Sequence, residues 1–323
     1  MVLLYTLISM AKTAFNILEY CYFRDQIIPF ANAQISIMNH SFMYGSAVFE
    51  GIRAYYNQDD KALYLLHAQE HLQRILNSAK ILRLQANKSV QEMIDIVVEV
   101  LKKNAPQQDT YIRPSWFKDT IRIGPSVYCE DDQDSFVVSC ITLGDYVDTK
   151  KGLNVRTSSW RRLADTAIPA RAKVNGSYVN TGLAKAEAIL SGYDDAIFLN
   201  DDGHVAEGSA MNLFMVTNGT LVSSMGSENI LEGITRNFIT TIAREELGLQ
   251  VVYRSIDRTE LYTADELFFC GTGAQVAPVT NVDNYVIADA KPGAITTKIQ
   301  DLYSQICHGK IDKYKKYLIK IEI

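Results

Sequence analysis

Along residues 68–84, AQEHLQRILNSAKILRL, the apolar positions Leu72, Ile75, Leu76 and Ala79 recur at the three- and four-residue spacing of one helix face. VQEMIDIVVEVLKKN (90–104) repeats that pattern and ends in lysines, which the helix dipole favours at a C-terminus. The pattern around these two helices is extended. YCYFRDQIIPF (20–30) reads as two strands about a polar turn, and TYIRPSWF (110–117) and DSFVVSCITL (134–143) read as further strands. The first 140 residues therefore mix strands with two helices.

A polar run with two glycines, GDYVDTKKG (144–152), then separates two strand-rich stretches and reads as an interdomain linker. Beyond it, LNVRTSSW (153–160) is a strand, and SYVNTGLAKAEAILSG (177–192) is a helix closed by Gly192. DDAIFLNDDGHVAEG (194–208) and NLFMVTNGTLVSS (212–224) read as hairpins, the second about an Asn-Gly turn. GITRNFITTIAREELG (233–248) is a helix, and QVVYRSI (250–256) and ELFFCG (266–271) are strands. The expected class is α+β in two domains: a small α/β domain over 20–143 and a larger β-rich domain with outer helices over 153–323.

Composition narrows the function classes. The 323 residues fit two domains of about 100–200 residues each, and 47% hydrophobic with 21% charged residues is ordinary for a globular chain. A net charge of −5 gives no basic footprint for nucleic acid. The one basic cluster, KIDKYKK (310–316), reads as a solvated tail. Five cysteines at long spacings, with no CxxC, argue against a disulfide framework or a zinc site and fit a reducing cytoplasm. The five histidines form no HExxH pair, so no catalytic metal is expected. The start, MVLLYTLISMA, is too short to span a bilayer, which takes about 20 residues, and it lacks a leading positive charge. Residues 1–19 read as an extension, disordered or mis-started ahead of Met10, in preference to a weak signal peptide, and no membrane partner is expected.

The candidate chemistry begins in IPARAKVNGSYVNT (168–181), where Lys173 lies between Ala172 and Val174 in a run rich in small and apolar residues. Apolar surroundings favour a neutral amine, and a neutral amine is a nucleophile suited to a Schiff base with a carbonyl; a lysine snorkelling its head to water is the plainer alternative. In HVAEGSAMNLF, Glu207 follows an apolar strand, where a carboxylate is able to hold a proton on a heterocyclic nitrogen or serve as an ordinary turn acid. In LEGITRNFI, Gly233 precedes a helix whose first turn holds Ile234 and Thr235, so free N–H groups and a hydroxyl make a phosphate site or a simple cap. CGTGAQ (270–275) adds a Gly-rich turn with Thr272, and Arg74 in EHLQR either clamps an anion or lies on a solvated face. Together these groups specify a phosphorylated, aldehyde-bearing heterocycle, which describes pyridoxal 5'-phosphate (PLP).

The ordered set HSFMYGSAVFEGIRAY, EHLQRILNSAKIL, YIRP, IPARAKVNGSY, GHVAEGSAMNLF, LEGITR and ADELFFCGTGAQVAPV resembles the fold-type IV PLP aminotransferases, and most of all the bacterial branched-chain amino acid aminotransferases, from about residue 20 to 308. The resemblance implies that Lys173 bonds the cofactor aldehyde and moves the proton, Tyr178 meets the ring's phenolic oxygen, and Glu207 partners the ring nitrogen. It implies that Arg74, Ile234, Thr235 and Thr272 bind phosphate. Tyr44, Tyr111 and Arg113 would meet the substrate carboxylate, with Gly273 and Ala274 in the turn beside them, and Phe49 and Tyr146 would wall the side-chain pocket.

The activity implied is ping-pong transamination of leucine, isoleucine and valine with 2-oxoglutarate, in a homodimer or homohexamer. Other enzymes of the same fold (D-amino acid or (R)-amine aminotransferases, aminodeoxychorismate lyases) and a non-catalytic PLP-binding protein are the alternatives; FEGIRAY and YIRP argue against the first group. Three stretches depart from the family: Ala210 and Met211 replace a glycine and an acid of some members, TLGDY (142–146) lacks a tryptophan, and KDTIRIGPSVY (118–128) is unlike the corresponding loop, which in the family crosses to a partner subunit.

Overall fold

The alternating and helical patterns resolve into two nine-stranded sheets and six α-helices among the described residues. The computed structural model describes residues 16–130, 132–144 and 149–323. The helices are α1 (His40–Tyr44), α2 (Ala68–Ile81), α3 (Val90–Asn104), α4 (Tyr178–Leu190), α5 (Ile234–Leu247) and α6 (Ala294–Cys307).

The first sheet is antiparallel throughout. Its order runs Leu318–Glu322, Ala62–Leu66, Ile52–Asn57, Thr110–Lys118, Asp134–Thr142, Tyr20–Phe23, Gln26–Pro29. Two short strands join from the side: Asn16–Ile17 on Asp134–Thr142, and Ala47–Phe49 on Thr110–Lys118. The periodic residues of α2 and α3 do what their spacing implies. Leu72, Ile75 and Ala79, with Met93, Val97 and Val100, pack against Ile52, Ala54, Leu63 and Ile112 of the sheet. Truncating any one of the large members to alanine removes about 2–5 kcal/mol of stability. A capping box starts α3: the Ser89 hydroxyl accepts the Glu92 N–H and the Glu92 carboxylate accepts the Ser89 N–H.

The second sheet is mixed, in the order Val205–Gly208, Asp195–Leu199, Leu153–Arg161, Gln275–Val282, Glu266–Gly271, Asn212–Thr217, Thr220–Ser223, Val251–Tyr253, with the short ninth strand Tyr285–Val286 on Gln275–Val282. Both hairpins read from the sequence are present, with Phe214 opposite Ser223 and Ile197 opposite Gly208. Helices α5 and α6 cover one face through Phe238, Ile239, Ile242, Ile299 and Ile306, while α4 rests Ala184 and Ala188 on Ala196 and Phe198.

Two expectations change. Residues 310–316 are not merely a solvated tail. Asp312–Tyr317 form a short helix with Tyr314 buried, and the chain continues into Leu318–Glu322, which pairs with Ala62–Leu66 at the edge of the first sheet. The lysines there are outward-facing, which disguised a segment whose tyrosine and alternate apolar residues carry the packing. The first 140 residues also hold a third helix, α1, too short at five residues to show a period. Among the described residues no helix is long and apolar enough to cross a membrane.

Candidate active site

The run that holds Lys173 is fastened to the first sheet. Its carbonyl accepts the Phe49 N–H at 3.1 Å, its N–H donates to the Ser78 hydroxyl of α2 at 3.1 Å, and Val174 bridges to Val48. Gly45, at a φ of +67°, closes α1 so tightly against this run that a Cβ there would lie 2.8 Å from the Gly176 Cα. The Lys173 side chain is thereby aimed into a cavity of about 530 Å³ between the two sheets, a volume in the range of small-molecule sites. It is not sunk in apolar core, as its sequence neighbours suggest. Its Nζ donates to the Tyr178 hydroxyl at 2.7 Å, and the Tyr178 ring lies 4.9 Å from that of Phe49.

Glu207 lies in the strand Val205–Gly208 of the second sheet and borders the same cavity. Three donors hold it: Arg162 Nε at 2.8 Å, Asn212 Nδ2 at 2.9 Å and the Leu231 N–H at 3.2 Å. Burial pushes the Glu207 carboxyl above its ordinary range, against the pull of Arg162 and the Leu231 N–H. Ala210 and Met211 contribute none of these three bonds, so that departure leaves the hydrogen bonding of Glu207 intact.

At one end of the cavity, α5 begins at Gly233, with no side chain capping its first turn. Any side chain at 233 would strike Asn212, so the glycine is what lets the helix start approach this closely. Arg74 is carried there by α2. Its Nη1 donates to the Glu232 carbonyl at 2.9 Å, and Nε and Nη2 grip Glu50 at 2.6 and 2.8 Å. Glu50 is fully buried and also accepts from His71 at 2.7 Å. Burial opposes charge on Glu50, but Arg74 and His71 outweigh it and hold the carboxyl well below the usual range. Burial likewise pushes His71 down, toward a neutral imidazole that donates to Glu50.

The opposite end is aromatic. The Arg113 guanidinium lies 4.0 Å over the Phe49 ring and 5.6 Å from that of Tyr111. A side chain on Gly51 would strike the Tyr111 ring, so this glycine makes room for the tyrosine. Burial pushes the Tyr111 hydroxyl upward. Thr272, Gly273 and Ala274, in the turn between Glu266–Gly271 and Gln275–Val282, line the same cavity.

Residues 47–282 match the family described as amino-transferase class IV. The chain belongs to the class IV aminotransferases. Among curated relatives of this aminotransferase, a probable branched-chain-amino-acid aminotransferase of Aquifex aeolicus (strain VF5) is 45% identical, over 94% of this chain and 97% of the relative. Two solved structures are also similar. The branched-chain aminotransferase from Thermoproteus uzoniensis with norvaline has 36% identity and a TM-score of 0.89, covering 95% of this chain and all of that one. The branched-chain amino acid aminotransferase from Thermobaculum terrenum in its PLP form has 31% identity and a TM-score of 0.90, covering 95% and 99%.

Of the site residues expected in this aminotransferase, twelve border the one cavity: Lys173, Arg74, Tyr178, Glu207, Ile234, Thr235 and Thr272, with Phe49, Tyr111, Arg113, Gly273 and Ala274. Tyr146 lies outside the described residues. Tyr44 is not brought into the cavity of its own chain. It ends α1 partly exposed, and its hydroxyl accepts the Gly124 N–H at 2.9 Å, which ties it to the 118–128 loop instead. Four residues escaped the sequence reading: Glu50, His71, Arg162 and Asn212. Glu50 carried a signal of the same kind as Lys173, a charge set among apolar neighbours in the run AVFEGI. Arg162 carried none, because its partner lies 45 residues further along the chain.

Proposed function

We propose that this chain is a PLP-dependent branched-chain-amino-acid aminotransferase, moving the amino group of leucine, isoleucine or valine to 2-oxoglutarate and releasing branched 2-oxo acids and L-glutamate. The observation that carries this reading is one cavity holding an amine on a tyrosine hydroxyl, a buried carboxylate, and an uncapped helix start backed by an arginine. These groups fit PLP part by part. Arg74, the Ile234 N–H, Thr235 and Thr272 would hold its phosphate, Glu207 its ring nitrogen, Tyr178 its phenolic oxygen and Lys173 its aldehyde carbon. The cofactor, when bound, supplies a carbonyl that takes up the amino group and a cationic ring that draws electrons from the substrate α-carbon.

The chain's own residues do the rest. Lys173 Nζ takes the proton from the substrate α-carbon and returns one to the acceptor carbon, a role that supplies about 10²–10⁴-fold in rate. Glu207 keeps a proton on the ring nitrogen, and the two opposite charges offset each other's dehydration. Tyr111, Gly273 and Ala274 orient the substrate carboxylate. Phe49 offers an apolar face to a branched side chain, and Arg113 offers a cation to the side-chain carboxylate of glutamate.

Tyr44 and the 118–128 loop fit a second copy of the chain better than their own, since neither lines this cavity and they are bonded to each other. A homodimer, or a homohexamer built from it, and a cytoplasmic setting complete the reading. The deciding measurement is a panel of amino donors with 2-oxoglutarate, read as glutamate formed. Branched L-amino acids should lead; preference for D-alanine or an aryl amine over L-leucine sinks the assignment.

A further inference from the structure

Arg53 lies on the strand Ile52–Asn57 of the first sheet and is 1% exposed. Its guanidinium reaches carbonyls just past the strand Asp134–Thr142 of the first sheet and in the turn between Glu266–Gly271 and Gln275–Val282 of the second. Nη2 donates to the Leu143 carbonyl at 2.6 Å and the Gly144 carbonyl at 3.1 Å, and Nη1 donates to the Gly273 carbonyl at 3.3 Å. Asp109 adds a carboxylate 3.7 Å from Nη2. Gln300, on α6, makes a matching pair of contacts from another direction. Its Nε2 donates to the Thr149 carbonyl at 3.0 Å and the Val276 carbonyl at 2.9 Å. Carbonyls on both sides of the chain's passage between the sheets are thus fastened to the same stretch, residues 273–276. Leu143, Gly273 and Ala274 all border the cavity.

We propose that Arg53 and Gln300 are positioning residues that together clamp residues 143, 144 and 149 onto residues 273–276 and so set the width of the substrate end of the cavity. The geometry stands on its own; the choice of substrate rests on the aminotransferase reading. Hydrogen bonds from a guanidinium to carbonyls are charge-assisted, and its planar fork reaches several acceptors that a lysine ammonium cannot span. Neither side chain borders the cavity, so each acts through the backbone it holds. Because both hold one segment, loosening either releases part of what the other secures, and the two effects do not multiply.

The test uses the full-length holoenzyme with Arg53→Met, Arg53→Lys, Gln300→Met and the Arg53→Met/Gln300→Met double variant. Arg53→Met should raise KM for leucine about tenfold with kcat within about threefold of wild type, and Gln300→Met should raise KM about threefold, with the double variant falling short of the product. Calorimetric titration with 4-methylvaleric acid, a branched carboxylate with no amino group to transfer, should weaken by the same factors. Hydrogen exchange should quicken in peptides covering both 138–152 and 268–280 in each single variant. Arg53→Lys should behave as Arg53→Met in exchange, and it carries the test should the methionine variant not fold.

The clamp is overturned by KM effects that multiply, by exchange that quickens in one peptide alone, or by a lysine variant indistinguishable from wild type. A wild type that ignores branched donors defeats the function instead, and exchange then decides the clamp by itself.

Discussion

The two ends of the cavity are built on opposite principles. At the α5 end the charges that line or back the cavity are paired within the chain. Arg74 is locked by Glu50, Glu50 by His71, and Glu207 by Arg162, Asn212 and the Leu231 N–H. At the other end Arg113 rests on ring faces, and among the described residues it forms no ion pair. On the function proposed above, the first end would hold a group that never changes, an anion and a ring. The second would leave a cation on aromatic walls, to face an alkyl chain in one half-reaction and a carboxylate in the other. A fixed ligand rewards a rigid, fully satisfied network, and alternating ligands reward a charge whose partner arrives with the substrate.

The largest expected effect tests the fixed end. Lys173→Ala should lower turnover by at least about 10²–10⁴-fold, and borohydride reduction followed by peptide mapping should no longer label the 168–181 peptide. Normal activity in this variant breaks the scheme at its base.

Glu50→Gln comes next, because it removes one member of a buried pair. It should cost about 3–5 kcal/mol in chemical denaturation and weaken cofactor retention by loosening Arg74. The pH dependence has a definite sign. The folded state holds Glu50 below its unfolded value, so the pair's contribution is complete above the ordinary carboxylate range of about 4.3 and is lost as pH falls toward the depressed folded value. The stability gap between wild type and Glu50→Gln should therefore not narrow between pH 8 and about pH 5 and should close only in stronger acid. A gap that closes near neutrality would remove Glu50 from its role.

Arg113→Met sharpens the contrast at the adaptable end. A hydrogen bond to a charged group contributes about 1.5–3 kcal/mol, so KM for 2-oxoglutarate should rise roughly 10- to 100-fold while KM for leucine moves only a few-fold. Equal losses for both substrates would mean that Arg113 is structural. Phe49→Leu should give the smallest change, about 1 kcal/mol, and should fall on leucine rather than on 2-oxoglutarate.

Much of the candidate site was legible because its chemistry sits in short local motifs. Lys173 and Tyr178 are five residues apart, Gly233 directly precedes Ile234, and Thr272 to Ala274 are consecutive. Local spacing also sufficed for α2, α3 and the two hairpins of the second sheet. It failed where the meaning of a residue depends on a distant partner. Arg162 in WRRL looks like any surface arginine until Glu207 is beside it, and KIDKYKK looks solvated until Tyr314 is seen against α5. Tyr44 shows the same gap from the other side: its motif named the residue, and only the fold revealed that the hydroxyl turns to Gly124 and away from its own cavity.

By itself the chain's order of residues determined the kinds of element, the apolar faces and the supply of chemical groups, because those depend on spacings of a few residues. The tertiary structure alone decided which groups meet: that Glu50 and His71 stand behind Arg74, that Arg53 and Gln300 hold one connection from two sides, and that the last strand returns to the first sheet. Those pairings join residues tens to hundreds of positions apart, and their energies come from burial and close approach, which no local period records.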